Sequence, residues 1–274
     1  MTIIFFGSFQ HYSALILEAL LKNKNIKIEA VVTSDENNPS YQLAQAKHIR
    51  ALSPKILDQN FLSKLERPDL LVMAGYGKLL PSNYLAFPKI KALNLHFSLL
   101  PKYKGANPAE WAILNGETET GITLIEMDEK FDTGNIIFQE KMKISAHDTR
   151  ETLYQKLYEL GATVLPGWLK NYQNGNFEIV KQKNNRLPYA KRFFKKDSFV
   201  AWADLFKDPT FISRACRAWY GFPGLWTKIP SKKGDKIMKI WSCHLADKQL
   251  ILDEVQVEGQ NKARFNQIKN MILT

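Results

Sequence analysis

Apolar runs and amphipathic stretches alternate along the first hundred residues. The runs TIIFF (2–6), IEAVVTS (28–34), DLLVMAGYG (69–77) and ALNLH (92–96) have the composition of buried strands. HYSALILEALLKN (11–23) has the apolar spacing of an amphipathic helix. Apolar strands that alternate with helices are typical of a parallel sheet that is covered on both faces. The pattern therefore predicts a doubly wound α/β domain with a mostly parallel sheet.

The pattern changes after residue 120. ITLIEMD (122–128) and NIIFQEKMKI (135–144) predict two more strands, partly antiparallel, and a long amphipathic helix follows them. Asp148 and Glu151 have the spacing of a capping box at the start of this helix, and Asn174–Gly175 is a stop signal.

Three parts of the chain differ in pattern. Residues 1–180 form the predicted α/β domain, and residues 181–198 are polar, basic and aperiodic, as expected of a linker. Residues 199–274 contain one helical pattern and several short strand patterns. We predict a small α+β domain there.

Composition narrows the functional classes. The 274 residues include 38 Lys and Arg against 27 Asp and Glu, a formal net charge of +11, which favours an anionic partner. No apolar run has the length of a membrane span, and MTIIFFGSFQ lacks the basic flank of a signal peptide. The two cysteines make neither a disulfide framework nor a zinc ribbon. We expect a cytoplasmic protein that binds neither a membrane nor a metal. The sequence does not decide whether the protein forms a homodimer.

Candidate chemistry lies in NLHFSLLPKYKGANP (94–108). Residues two apart on a strand face the same side, so Asn94 and His96 project together from the carboxyl end of a strand, where open α/β sheets bind ligands. Such a pair suits an oxygen that gains negative charge, although a lone buried histidine is more often structural. Asp132 lies in a predicted turn, where a carboxylate could take a proton from an amine or simply stabilise the turn.

At this point LNLHFSLLPKYKG and TGITLIEMDEKFDTGNII resemble the signature of the folate-dependent formyltransferase superfamily. This superfamily includes glycinamide ribonucleotide transformylases, methionyl-tRNA formyltransferases and nucleotide-sugar N-formyltransferases, and the resemblance extends over about residues 1–180, which would be the catalytic domain. It implies a formyltransferase (Rossmann-like) fold, with Asn94, His96 and Asp132 as the catalytic residues.

The resemblance also implies a formyl donor, 10-formyltetrahydrofolate, which would leave as tetrahydrofolate. Two segments would hold its pterin, mainly through main-chain atoms: Lys78, Leu79 and Leu80, and Asp128, Glu129, Lys130, Phe131 and Asp132.

The formyl acceptor is predicted from finer similarities. KGANPAEWAILNGE and FFKKDSFVAW resemble segments of the nucleotide-sugar enzymes, whereas the region after the second strand lacks the basic insertion of methionyl-tRNA formyltransferases, and the tail is shorter than their β-barrel. We therefore expect a dTDP-linked 3-amino- or 4-amino-dideoxyhexose as acceptor, as in the biosynthesis of surface polysaccharide such as the O-antigen of lipopolysaccharide. The alternative is a methionyl-tRNA formyltransferase with a shortened C-terminal domain, whose nucleic-acid partner would be tRNA.

Candidate acceptor-binding residues lie in the first loop and around the strand end: Ser8, Phe9, Gln10, Tyr12, Lys102, Tyr103, Asn107 and Trp111. Two other classes stay open. One is a catalytically silent binding protein on the same fold, and the other is an RNA-binding module that uses the basic surface.

Overall fold

The computed structural model describes residues 1–183, 187–231 and 234–268. Its strands are β1 (Thr2–Phe6), β2 (Lys27–Val32), β3 (Arg50–Leu52), β4 (Leu70–Ala74), β5 (Lys91–His96), β6 (Lys104–Gly105), β7 (Glu119–Glu126), β8 (Ile136–Lys143), β9 (Tyr189–Ala190), β10 (Leu225–Ile229), β11 (Lys236–Ala246), β12 (Gln249–Val257) and β13 (Ala263–Arg264). Its helices are α1 (Tyr12–Lys22), α2 (Pro39–Ala46), α3 (Gln59–Leu62), α4 (Ser82–Leu85), α5 (Pro108–Leu114), α6 (Arg150–Gln173), α7 (Pro209–Ala218) and α8 (Phe265–Ile268), with 3₁₀ turns at Lys195–Ser198 and Trp202–Asp204.

The chain forms two compact units, and neither is one continuous stretch. The first unit consists of residues 1–106, 120–142 and 154–190, and the second of residues 107–119, 143–153 and 191–274. The expected boundary fell in the segment 181–198, but two earlier stretches also belong to the second unit. For residues 107–119 the physical reason lies in α5, which packs against α7 and whose Ala109, Ala112 and Ile113 are buried. For residues 143–153 it includes the hydrogen bond that Arg217 Nη1 donates to the main-chain oxygen of Asp148.

A sheet of seven strands organises the first unit, in the order β3-β2-β1-β4-β5-β7-β8. The pairs β3–β2, β2–β1, β1–β4 and β4–β5 are parallel, and β7 runs antiparallel to β5. Strands β1 and β4 are buried over nearly their whole length, as their continuous apolar sequences require. The prediction of a doubly wound, mostly parallel sheet is confirmed.

The second unit contains an antiparallel sheet in the order β10-β11-β12-β13, on which α7 packs. Asp208 caps α7 by accepting a hydrogen bond from the main-chain N–H of Phe211, and Pro209 occupies the first turn. Met238, Ile240 and Val255 are buried in the core of this unit. The prediction of a small C-terminal α+β domain is confirmed by this sheet and helix.

The start of α6 differs from the predicted capping box. The cap is Thr149, because its Oγ1 accepts from the N–H of Thr152 at 3.3 Å while the N–H of Thr149 donates to Thr152 Oγ1 at 2.9 Å. Asp148 instead accepts from the N–H of Ser145 at 2.7 Å and closes the preceding turn. The predicted capping box of Asp148 and Glu151 is therefore wrong. Within the described ranges no helix has the length and apolarity needed to cross a membrane.

Candidate active site

Strand β5 brings the predicted Asn and His to the carboxyl edge of the sheet. It lies between β4 and β7, where Asn94 pairs with Met73 on one side and His96 with Thr123 on the other. Because Asn94 and His96 are two residues apart, their side chains leave the same face of the strand. The His96 side chain is nearly buried, with 6% of the residue exposed.

Asp132 reaches this pair from the loop between β7 and β8. Its Oδ1 accepts a hydrogen bond from Asn94 Nδ2 at 3.2 Å, and its Oδ2 accepts from the main-chain N–H of Gly105 at 2.9 Å. Oδ2 also lies 3.5 Å from His96 Nδ1. The structure therefore brings together the three predicted side chains, and we call Asn94, His96 and Asp132 the polar triad.

The protonation of His96 is constrained by its second nitrogen. Nε2 lies 2.9 Å from the main-chain oxygen of Tyr103, and a carbonyl oxygen can only accept, so Nε2 carries a proton. In the neutral ring Nδ1 is then the basic nitrogen, and it faces the carboxylate of Asp132. An imidazole held in this tautomer presents Nδ1 as a proton acceptor beside the carboxylate.

Two of the residues that complete the site have unusual backbone conformations. Asp132 has a φ of 55° and Tyr103 a φ of 59°, in the left-handed region that side chains other than glycine adopt at a cost. Each supplies a group to the triad, the carboxylate in one case and the main-chain oxygen in the other. Strain of this kind persists only where surrounding contacts hold it.

Gln182 supplies such contacts, and the sequence prediction had placed it in a linker. Its Nε2 donates to the main-chain oxygens of Asp132 at 2.9 Å and of Gly134 at 2.7 Å. Gln182 thereby holds the loop that carries the carboxylate. The sequence gives only a weak signal for this role of Gln182, because a glutamine in a polar, aperiodic segment looks like any exposed residue.

Comparisons with known proteins identify the family of this chain. Residues 1–169 match the family described as formyl transferase. A methionyl-tRNA formyltransferase of Methylacidiphilum infernorum is 32% identical over 299 aligned positions, which cover 96% of this chain and 92% of the relative. A methionyl-tRNA formyltransferase of Caldanaerobacter subterraneus is 37% identical over 215 positions, which cover 77% of this chain and 67% of the relative.

The chain belongs to the formyl transferase family. The resemblance inferred from its motifs is confirmed, and the protein is a formyl-transferring enzyme. Among solved structures, an N-formyltransferase from Helicobacter canadensis in complex with folinic acid and dTDP-3-aminofucose has a TM-score of 0.67 and 25% identity, covering 90% of this chain and 88% of that chain. A sugar N-formyltransferase from a Shewanella species has a TM-score of 0.70 at 19% identity, covering 90% of this chain and 99% of that chain, which supports the fold.

The two segments expected to hold the folate of this formyl transferase both belong to the first unit. No hydrogen bond within the described residues uses the main-chain N–H groups of Lys78, Leu79 or Leu80. Leu79 and Phe131 are large apolar side chains that are 42% and 49% exposed. Free main-chain donors beside exposed apolar side chains suit a flat heterocycle with acceptors on its edge.

A buried hydroxyl lies two residues before the first of these segments. Tyr76 is 4% exposed, and its hydroxyl has no hydrogen-bond partner among the described residues. Burial raises the pKa of Tyr76 to about 12, so the hydroxyl stays protonated and can donate a hydrogen bond to a ligand.

In the second segment, Asp128 accepts hydrogen bonds from Thr133 Oγ1 and from the N–H of Lys130, while Glu129 accepts one from Ser82. These features fit a bound folate.

Of the predicted acceptor-binding residues in the first loop, some are engaged in contacts within the fold and one is exposed. Ser8 is bonded within the fold, since its Oγ accepts from the N–H of Ser34 and its main-chain oxygen from Asn38. Tyr12 is buried at 3% exposure and stacks with Phe9 at 5.6 Å between ring centroids. Gln10 is exposed, with a φ of 50°. Gln10 is thus the most accessible of the four, and the acceptor roles stay predictions.

The remaining predicted acceptor residues fall in both units. In the first unit the main-chain oxygens of Lys102 and Tyr103 accept from Ser98 Oγ, and the oxygen of Tyr103 also lies beside His96. The Lys102 side chain is exposed. In the second unit Asn107 Oδ1 accepts from the N–H of Phe193, and Trp111 Nε1 donates to the main-chain oxygen of Lys191. The polar atoms of Asn107 and Trp111 are therefore engaged in structural contacts.

Proposed function

We propose that this enzyme transfers a formyl group from 10-formyltetrahydrofolate to the amino group of methionyl-tRNA. The observation that carries the proposal is the 32% identity to a methionyl-tRNA formyltransferase over 96% of this chain, which includes most of the second unit. The motifs favour a sugar nucleotide through two short segments, the lack of a basic insertion after the second strand and a short tail. Similarity sustained over almost the whole length outweighs them.

The distribution of charge supports a polyanionic acceptor. Residues 191–274 hold 16 of the 38 Lys and Arg residues but 8 of the 27 Asp and Glu residues, so this segment carries +8 of the formal net charge of +11. Phosphate backbones bind such surfaces through Lys and Arg, with a steep dependence on salt. The segment would thus attract the tRNA.

The folate supplies an activated formyl group when it is bound. The residues that would hold it are the main-chain groups of Lys78, Leu79 and Leu80 and the loop Asp128–Asp132, and the unsatisfied hydroxyl of Tyr76 is a further candidate. Their free donors and exposed apolar side chains support this assignment.

The polar triad would supply the acid–base chemistry. Asn94 Nδ2 donates one hydrogen bond to Asp132. Its second N–H can donate to an oxygen that gains negative charge during the reaction. His96 can accept a proton at Nδ1, and as a cation it stabilises negative charge nearby. Asp132 is the acceptor for the proton that leaves the attacking amine, directly or through His96.

A second candidate acceptor is a dTDP-linked amino-deoxyhexose. It is favoured by the Helicobacter canadensis enzyme, whose complex contains dTDP-3-aminofucose and which is 25% identical over 90% of this chain. The short region after β2, residues 33–53, also lacks a strongly basic insertion.

One experiment separates the two acceptors. The enzyme is incubated with 10-formyltetrahydrofolate and either methionyl-tRNA or a panel of dTDP-3-amino and dTDP-4-amino sugars, with Asp132→Asn as the inactive control. We expect a mass gain of one formyl group on the methionine of the tRNA. Formylation of a sugar nucleotide with no reaction on tRNA would overturn the proposal in favour of the second candidate.

A further inference from the structure

The second unit contains a cavity of about 880 Å³ whose lining holds none of the three residues of the polar triad. Its wall is built by α5, by the segment 191–197 and by α7. Cavities of this size accommodate small molecules. All of the lining residues belong to the second unit, whereas the polar triad belongs to the first.

The charge of the lining selects for anions. Lys191, Arg192, Lys196 and Arg214 line the cavity, and Asp197 is the one acidic residue among its lining residues. The Asp197 carboxylate already accepts a hydrogen bond from the main-chain N–H of Phe194 at 2.8 Å. Guanidinium groups bind phosphate through paired N–H donors, so a phosphate is the anion that this lining best matches.

The aromatic side chains of the lining select for a flat ring. Trp111 stacks on Phe193 with ring centroids 4.8 Å apart, and Phe194 is 56% exposed. An exposed phenylalanine ring beside cationic groups is the arrangement on which proteins stack nucleic-acid bases. A ligand that carries both a base and a phosphate is a nucleotide.

Trp219 adds an unsatisfied donor to the same wall. Its side chain lines the cavity and is 3% exposed, and its indole Nε1–H has no acceptor among the described residues. A buried donor without an acceptor costs free energy, which a ligand oxygen or nitrogen could recover.

The wall is also held in place before any ligand arrives. Trp111 Nε1 donates to the main-chain oxygen of Lys191 at 2.8 Å, and Asn107 Oδ1 accepts from the N–H of Phe193 at 3.1 Å. Asn107 Nδ2 in turn donates to Glu110, which forms a buried ion pair with Arg150 at 2.8 Å. Preorganisation of this kind lowers the entropic cost of binding.

We propose that this cavity binds one nucleotide unit, with the base on Phe194 and the phosphate at Arg214. The nucleotide could be free or could be an unstacked residue of an RNA, and both share this chemistry. The inference goes beyond the proposed function, because it requires neither a formyl donor nor a particular acceptor.

Calorimetric titration of the full-length enzyme with AMP, adenosine and inorganic phosphate tests the site without any formyl transfer. We expect AMP to bind more tightly than either fragment. Arg214→Gln should weaken AMP binding by about tenfold or more, and Phe194→Ala by about fivefold or more. The matched control is Lys228→Gln, which removes an exposed positive charge from β10 outside the cavity.

Displacement by uncharged tRNA identifies the source of the nucleotide. If tRNA displaces AMP from the wild-type enzyme, the site holds an RNA residue, and if it does not, the site holds a free nucleotide; both outcomes support the cavity as the site. The proposal is overturned if AMP binds no more tightly than phosphate, or if Arg214→Gln and Phe194→Ala bind AMP as the wild type does. Trp219→Phe keeps an aromatic side chain and removes the indole N–H, and we expect it to bind AMP more weakly than the wild type does.

Discussion

Replacement of Gln182 by alanine tests whether the loop of Asp132 is held in place by the two hydrogen bonds that Gln182 donates. Each such bond contributes roughly 0.5–1.5 kcal/mol net, so the pair contributes roughly 1–3 kcal/mol to the position of the loop. The left-handed conformation of Asp132 opposes this position by a cost of order 1 kcal/mol or more. If kcat is proportional to the fraction of enzyme in which the loop holds Asp132 in position, kcat decreases by about 5-fold to 160-fold.

The assay is steady-state formyl transfer at saturating donor and acceptor, with kcat and KM determined separately. We expect the loss mainly in kcat, because Gln182 acts through Asp132. Lys183→Ala is the matched control, since Lys183 is exposed on the same segment. A Gln182→Ala enzyme with the kcat of the wild type would refute the reasoning, as would an equal loss in Lys183→Ala.

Four further predictions follow from the site and the packing. Asn94→Ala, His96→Asn and Asp132→Asn should each lower kcat on the order of a hundredfold or more while circular dichroism stays that of the wild type, and wild-type turnover in any one would remove that residue from the mechanism. Activity should fall on acidification, because a protonated amine has no lone pair for attack; a rate profile that is flat from about pH 5 to 8 would contradict this role of the triad. Glu110→Gln should destabilise the protein by about 3–5 kcal/mol in urea unfolding, because it removes the negative charge of a buried ion pair with Arg150, and an unchanged midpoint would contradict this role of the pair. A hydrogen bond with the other cysteine and burial raise the pKa of the Cys216 thiol, so a thiol reagent at pH 8 should label it only after unfolding; labelling of the native enzyme, mapped by mass spectrometry, would contradict the buried position.

The sequence predicted the parts of the fold that depend on local pattern. β1 and β4 are continuous apolar runs, and their burial follows from a sheet covered on both faces. The position of Asn94 and His96 on one face follows from the two-residue period of a strand. Asp132 was found through the motif around it, because no periodicity connects a loop residue to a strand that ends 36 positions earlier.

The rest depends on contacts that leave little trace in the sequence. Tyr103 and Gly105 contribute main-chain groups to the triad, and main-chain groups are the same for every residue type. Gln182 was assigned to a linker because polar residues without a period are typical of linkers. The assignment of α5 to the second unit could not be foreseen, since the pattern of a helix shows that it has a buried face but not which partner covers it.

The discontinuity of the second unit determines how this enzyme can be divided. A fragment that begins at residue 199 contains α7 but neither α5 nor Asp148, whose main-chain oxygen accepts from Arg217 Nη1 at 2.9 Å. Such a fragment would expose the face of α7 that α5 covers, and the complementary fragment 1–198 would expose α5. Domain swaps with a relative would therefore need to exchange residues 107–119 and 143–153 together with the C-terminal segment. By the same packing, a single proteolytic cut after residue 198 would leave the two pieces associated, so that a nicked enzyme would elute from a sizing column as the intact one does.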